Sequence, residues 1–146
     1  MIRKLEPGDI ARLTEIYHKI FTSSEWNYDW LTMKNVTRYL TDMSLFPRFA
    51  GFSFFNEKGE IIGACFGDIS DYFSTVQYYI KEIFVEMSLQ NKGVGSKFLL
   101  EVEAYLKKRG VNNVTLYTSK TIPAYKFYRK NGYTDSSDAV FMVKPL

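Results

Sequence analysis

The chain has 146 residues, 46% of them hydrophobic, which suits one domain with a full core, spanning 1–146. It carries no apolar run of about eighteen residues and no basic-then-apolar leader, so a cytoplasmic protein without a membrane partner is expected. The formal net charge of +3 is spread along the chain with no basic stripe interleaved with aromatics, which speaks against nucleic acid.

The single cysteine, Cys65, cannot close an internal disulfide and sits in an apolar run, where a free thiol behaves as a small hydrophobe. The one histidine, His18, has no Cys or Asp at ligand spacing, so no metal site is expected.

In chain order, residues 2–5 read as a short strand. Pro7, Gly8 and Asp9 then open a helix with the apolar stripe Ile10, Leu13, Ile16, Tyr17, Ile20 and Phe21. Residues 22–27 break it, and a second helix over 29–43 turns Leu31, Val36, Tyr39 and Leu40 inward. Strands over 49–55 and 61–69 flank a hairpin turn at 56–59. After a turn at 71–75, a strand over 77–85 runs into a glycine-spaced loop. A helix follows from near Gly93 to Arg109, with Val94, Phe98, Val102, Tyr105 and Leu106 on one face and Gly110 as a left-handed cap. A strand over 114–118, a helix over 122–131 and a closing strand pair near 133–135 and 140–143 complete a mixed, largely antiparallel sheet with helices on both faces.

The most informative stretch is Gln90-Asn-Lys-Gly-Val-Gly-Ser96, which joins the strand ending at Phe84 and Val85 to the amphipathic helix. A helix entered this way presents unpaired N–H groups, here those of Asn91 to Ser96, to an anion. Two phosphate-binding patterns from other folds do not fit. A Walker A loop needs Gly-Lys-Ser/Thr after its four-residue spacer, and here serine precedes lysine. A dinucleotide fingerprint needs a third small residue where Phe98 stands.

What remains, Gln90-x-x-Gly93-x-Gly95 after a strand, resembles the acyl-coenzyme A loop of the GNAT superfamily of N-acetyltransferases. A second segment, Ala124-Tyr-Lys-Phe127-Tyr128-Arg-Lys-Asn-Gly132-Tyr133, is similar to that family's other signature. The two segments have the family's order and separation, and the resemblance covers at least residues 78–133. Asn91 stands where the family often has glycine, and Asn tolerates a left-handed backbone. Thr121 stands where the family has an Asn that faces the coenzyme.

The resemblance implies an α/β fold whose central sheet splays at strands four and five, acetyl-CoA as co-substrate, and direct attack by an amine in a ternary complex. It implies that Phe84 and Val85 pair with the pantetheine arm and that Gln90, Asn91, Lys92, Gly93, Val94, Gly95 and Ser96 hold the diphosphate. Thr121, Ala124, Phe127 and Lys130 complete the implied coenzyme site. The cations Lys92, Lys97, Lys126, Arg129 and Lys130 either face its phosphates or are solvated helix faces. Tyr128 aligns with the tyrosine that protonates the departing thiolate; packing alone is the alternative for it.

The acceptor's proton needs a base, and Glu82, on the strand that ends at the thioester, is the candidate; a structural carboxylate paired with Lys81 or a neighbouring strand is the alternative. Trp26, Asp29 and Trp30 lie in the break between the first helices, where aromatic walls and an acid suit a cationic amine, although two tryptophans four apart also suit core packing. Tyr72 is a further substrate candidate. The expected partner is a small-molecule or peptide amine, and a homodimer through 139–143 is compatible with the apolar closing segment. A non-catalytic acyl-CoA-binding sensor is the alternative function.

Overall fold

The computed structural model describes every residue except Ser24, Glu25 and Trp30. At its centre, the β-branched and aromatic runs of β3 (Ile61–Tyr72) and β4 (Thr75–Val85) pair antiparallel, from Gly63 with Val85 to Tyr72 with Thr75. Phe73 and Ser74 alone turn the chain, with Phe73 at φ 54°. β2 (Phe52–Phe55) and β1 (Ile2–Lys4) extend the sheet beyond β3, and β5 (Asn113–Leu116) lies parallel to β4, giving the order β1-β2-β3-β4-β5.

Two helices cover each face. α1 (Ile10–Phe21) and α2 (Met33–Ser44) pack their stripes of Leu13, Ile16, Ile20, Val36 and Leu40 on Ala64, Phe66 and Phe84. Burial of each such aliphatic side chain contributes about 1.5–3 kcal/mol. α3 (Val94–Lys107) and α4 (Pro123–Lys130) cover the other face, where Phe98, Leu99, Val102, Leu106 and Tyr128 meet Phe52, Phe54, Cys65, Tyr78, Ile80 and Val85. The mixed sheet between helical layers is the architecture expected from sequence.

Several boundaries move, each for a local reason. α2 begins at Met33 rather than 29, because the Thr32 hydroxyl caps it by accepting from the Asn35 N–H at 3.1 Å. β2 begins at Phe52 rather than 49; Phe49 makes only an isolated bridge to Asp68, after Arg48 at φ 60°. β5 stops at Leu116. Tyr39, expected to face inward, is 44% exposed.

The closing strand pair does not form. Tyr133 is drawn onto α3 by its hydrogen bond to Glu103 at 2.7 Å. Asp135 is held by the Tyr125 hydroxyl at 3.0 Å and by Lys120 at 3.1 Å. With these anchors the tail adds no strand beyond β5, Phe141 lies against Tyr117, and Val140, Phe141, Met142 and Val143 are left 68–84% exposed. Among the described residues, no helix is long and apolar enough to cross a membrane.

Candidate active site

The site is organised by a bulge in β4. Phe66 faces Glu82 but Gly67 faces Ile80, so Lys81 is an extra residue without a partner in β3. Gly67 fits the bulge because a Cβ there would lie 2.4 Å from the Tyr78 ring and 2.5 Å from the Tyr79 carbonyl oxygen. Beyond the bulge the alternation of β4 is inverted: Tyr78 and Ile80 enter the core under α3 and α4, whereas Phe84 enters the core under α1 and α2. Glu82 turns the same way as Phe84.

There its Oε1 accepts from the hydroxyl of Tyr39 at 2.7 Å and of Tyr17 at 3.2 Å. Burial pushes the Glu82 carboxyl above the ordinary carboxylate range, and the two hydroxyls, Tyr39 before Tyr17, only partly offset this. Lys81 does not pair with Glu82. Its ammonium lies 2.9 Å from Asp68 and 3.5 Å from the centre of the Phe46 ring. Of the structural alternatives for Glu82, pairing with Lys81 or with a neighbouring strand, the ion pair with Lys81 is absent among the described residues, and its partners come from α1 and α2.

Past the bulge, β4 also loses its neighbour. β5 pairs with it only from Gln77 to Ile80, so residues 81–85 have one free edge. The Glu86 N–H donates to Ile62 on the β3 side at 2.8 Å, and strand alternation therefore turns the backbone N–H and C=O of Val85 to the free edge. The Gln90 side chain donates to the Val85 carbonyl at 3.2 Å and ties the loop to the strand.

Between that strand and α3, Asn91 has φ 59° and Gly93 has φ 79°. A Cβ at Gly93 would meet nothing within 4 Å, so the backbone conformation rather than crowding calls for glycine. At Gly95 the reason is crowding, since a Cβ would lie 3.3 Å from the Phe127 ring. No side chain caps α3, and its first-turn N–H groups face outward. Asn131 braces this turn from α4 by donating to the Ser96 hydroxyl at 3.0 Å. A free strand edge leading to an uncapped, glycine-entered helix fits a ligand with an amide-bearing arm and a diphosphate. Lys92 and Lys97 flank the turn in sequence and are exposed, as are Lys126 and Lys130 of α4 and Thr121, whose hydroxyl is engaged with Ser119 at 2.8 Å.

Tyr128 lies across the splay on α4, its ring against Phe127 and Tyr133 and only 8% exposed. Its hydroxyl makes no hydrogen bond with the described residues. Burial, with the nearby Cys65 and Glu82, raises its pKa well above that of an ordinary tyrosine. Cys65, fully buried, is pushed up to about 12 by desolvation, in keeping with an inert core thiol. Ala124 and Phe127 pack on the same core.

The substrate candidates fare unevenly. Trp26 is half-buried, with its ring 5.1 Å from Phe21 and 6.3 Å from Tyr28. Phe21 in turn lies 4.3 Å from Tyr17, so a chain of aromatic rings leads from the α1–α2 connection to Glu82. Asp29 is exposed beside this chain, and Trp30 lies outside the described residues. Tyr72 is at the far end of the β3–β4 hairpin, seven residues and a bulge from Glu82, about 20 Å by strand rise, and does not join the cluster. Sequence reading missed the parts played by Tyr17 and Tyr39, which it placed in the core. The available signal was the hydroxyl itself, since a buried tyrosine needs a polar partner. His18 is structural, with Nε2 2.9 Å from the Leu31 carbonyl oxygen.

A mixed sheet whose β4–β5 pair parts before an uncapped helix is the framework of the site, and comparison with known proteins gives its family. The model of the Acetyltransferase (GNAT) family matches residues 10–133, and the chain belongs to that family. No curated protein matches it in sequence. Among solved structures it is similar to an aminoglycoside acetyltransferase from an uncultured soil metagenomic sample in complex with sisomicin, at 18% identity and TM-score 0.73, covering 100% of this chain and 95% of that one. Glucosamine-6-phosphate N-acetyltransferase from Arabidopsis thaliana is 21% identical with TM-score 0.66, covering 99% and 97%. A transcriptional regulator from Bacillus halodurans C-125 is 18% identical with TM-score 0.72, covering 99% of each chain. Identities this low carry the fold alone.

Proposed function

We propose that the protein transfers the acetyl group of acetyl-CoA to a primary amine of a small molecule or peptide, by direct attack in a ternary complex. The observation that carries this reading is the free edge of β4 at 81–85, with Glu82 on the strand and the uncapped α3 at its end. Acetyl-CoA supplies an acetyl group activated as a thioester. The Val85 N–H, on the free edge, is the donor for negative charge developing on the thioester carbonyl oxygen. The first-turn N–H groups of α3, from Val94 to Ser96, hold the diphosphate.

Glu82 takes the proton of the arriving ammonium. A primary amine has a pKa near 10.4, so it arrives charged, and a carboxyl raised by burial is a stronger base than an exposed one. Tyr128 gives its proton to the departing thiolate. Its pKa, raised by burial, keeps it protonated at neutral pH and so available as a proton donor. The aromatic chain Trp26, Phe21 and Tyr17 beside Asp29 supports a cationic acceptor. The similar proteins named for aminoglycoside and glucosamine-6-phosphate acetylation are compatible with an amine on a polar small molecule.

The test is release of thiol from acetyl-CoA against a panel of amines, beside the thermal shift with acetyl-CoA and with free adenosine. Amine-dependent release and a shift specific to acetyl-CoA support the transferase. A shift without release under any amine favours the second reading, an acyl-CoA sensor, which has the similarity to a transcriptional regulator in its favour and the retained Tyr128 against it.

A further inference from the structure

We propose that Tyr17 and Tyr39 are positioning residues for Glu82: their hydroxyls, converging from α1 and α2 on Oε1, fix the carboxylate and leave Oε2 as the oxygen that receives the substrate's proton. This rests on the reading of Glu82 as the base.

Three features of the cluster support it. First, both donors bind the same oxygen, at 2.7 Å and 3.2 Å, and no hydrogen bond among the described residues engages Oε2. A carboxylate merely being satisfied in a core has no need of such one-sided use. Second, the charge is held by neutral donors. Lys81, adjacent in sequence, is turned to Asp68, and among the described residues no cation pairs with Glu82. An ion pair would lower the basicity of the group, whereas two phenols orient it without giving it a counter-charge. Third, Tyr39 is 44% exposed, so packing alone gives no reason for its hydroxyl to reach across from α2 to β4.

Tyr17 of α1 and Tyr39 of α2 face Glu82 directly, Cys65 of β3 and Tyr128 of α4 feel its charge from the opposite side of the sheet, and Lys81 and Asp68 compensate each other at the bulge. Burial raises the pKa of Cys65, Tyr17, Tyr39 and Tyr128, which keeps all four protonated at neutral pH, and it raises Glu82 above the ordinary carboxylate range. In the proton step an N–H bond of the ammonium breaks, an Oε2–H bond forms, and the electron pair stays on nitrogen for attack.

The test is a carbon-13 NMR titration of the glutamate carboxyls in the intact protein. Wild type, Tyr17→Phe, Tyr39→Phe and the double variant are compared, with Glu82→Gln to assign the resonance. Phenylalanine keeps the packing, and thermal melting checks the fold. The expected result is a Glu82 midpoint about one pH unit higher in each single variant and higher again in the double variant, with the acid limb of amine-dependent thiol release moving the same way. An unchanged Glu82 midpoint in the folded double variant would overturn the proposal. Failure of the underlying reading looks different: Glu82→Gln would then retain full turnover whatever the tyrosine variants do to the titration.

Discussion

Ile80 and Glu82 are two residues apart in one strand and point to opposite faces of the sheet. Ile80 enters the core beneath α3 and α4, and Glu82 reaches Tyr17 and Tyr39 beneath α1 and α2. In a regular strand they would share a face, so the inserted Lys81 is what delivers a carboxylate to the α1–α2 side while the α3–α4 side keeps its apolar core. The ion pair with Asp68 and the Phe46 ring hold that inserted residue in place.

Glu82→Gln is expected to lower turnover about 100-fold at neutral pH, with the deficit shrinking as pH approaches the pKa of the amine, because free amine then needs no base. The pH profile of amine-dependent thiol release checks this. A loss equal at every pH would assign Glu82 a structural part.

Asn91 carries a positive φ at the mouth of the proposed coenzyme loop. Asn91→Gly is expected to keep both stability and the acetyl-CoA-induced thermal shift. Asn91→Val is expected to cost about 1–2 kcal/mol and to reduce that shift, since a β-branched residue resists the left-handed region. Denaturant titration and melting with acetyl-CoA measure the two effects.

Asp9 ties the start of the chain to β2, accepting from Ser53 at 2.7 Å, Arg3 at 2.8 Å and the Glu6 N–H at 3.0 Å. Burial works to raise its pKa, but these bonds win and hold it below the usual carboxylate range. A carboxyl lowered on folding contributes stability that is full above its unfolded pKa of about 3.9 and is lost as pH falls through the folded value. Asp9→Asn is therefore expected to be destabilised at pH 7, with the gap to wild type closing below about pH 4. Urea titrations at the two pH values check it, and a gap independent of pH would contradict it.

Phe141 is 68% exposed, with its ring 4.5 Å from that of Tyr117. Phe141→Ala is expected to change stability by less than about 0.5 kcal/mol. A loss of several kcal/mol, concentration-dependent above all, would mean that the apolar tail is covered by a second copy of the chain.

The helices and the β2–β3 hairpin were legible in the sequence because their apolar periods are strong and their ends carry Gly59, Gly93 and Gly110 in left-handed turns. The glycine-spaced entry to α3 was legible because Gly93 at positive φ is dictated by the turn itself, whereas the Phe127 ring that crowds Gly95 comes from α4 and was not. The bulge was not, since nothing in Tyr79-Ile-Lys-Glu-Ile83 marks one extra residue; it arises from pairing with Gly67 across the sheet. The role of Tyr39 was hidden for the same reason, because a residue on the rim of α2 acquires its partner only when β4 turns Glu82 toward it. The closing strands were misread from their composition, for side-chain anchors at Glu103 and Lys120 decide where the tail runs.

The central claim, that this chain is an acetyltransferase using Tyr128 as its acid, is tested most directly by measuring thiol release from acetyl-CoA with the best amine of a panel, in wild type and in Tyr128→Phe. The account expects amine-dependent release in wild type and a loss of at least about 100-fold in the variant, with the acetyl-CoA thermal shift retained. Equal release by the two proteins would contradict it.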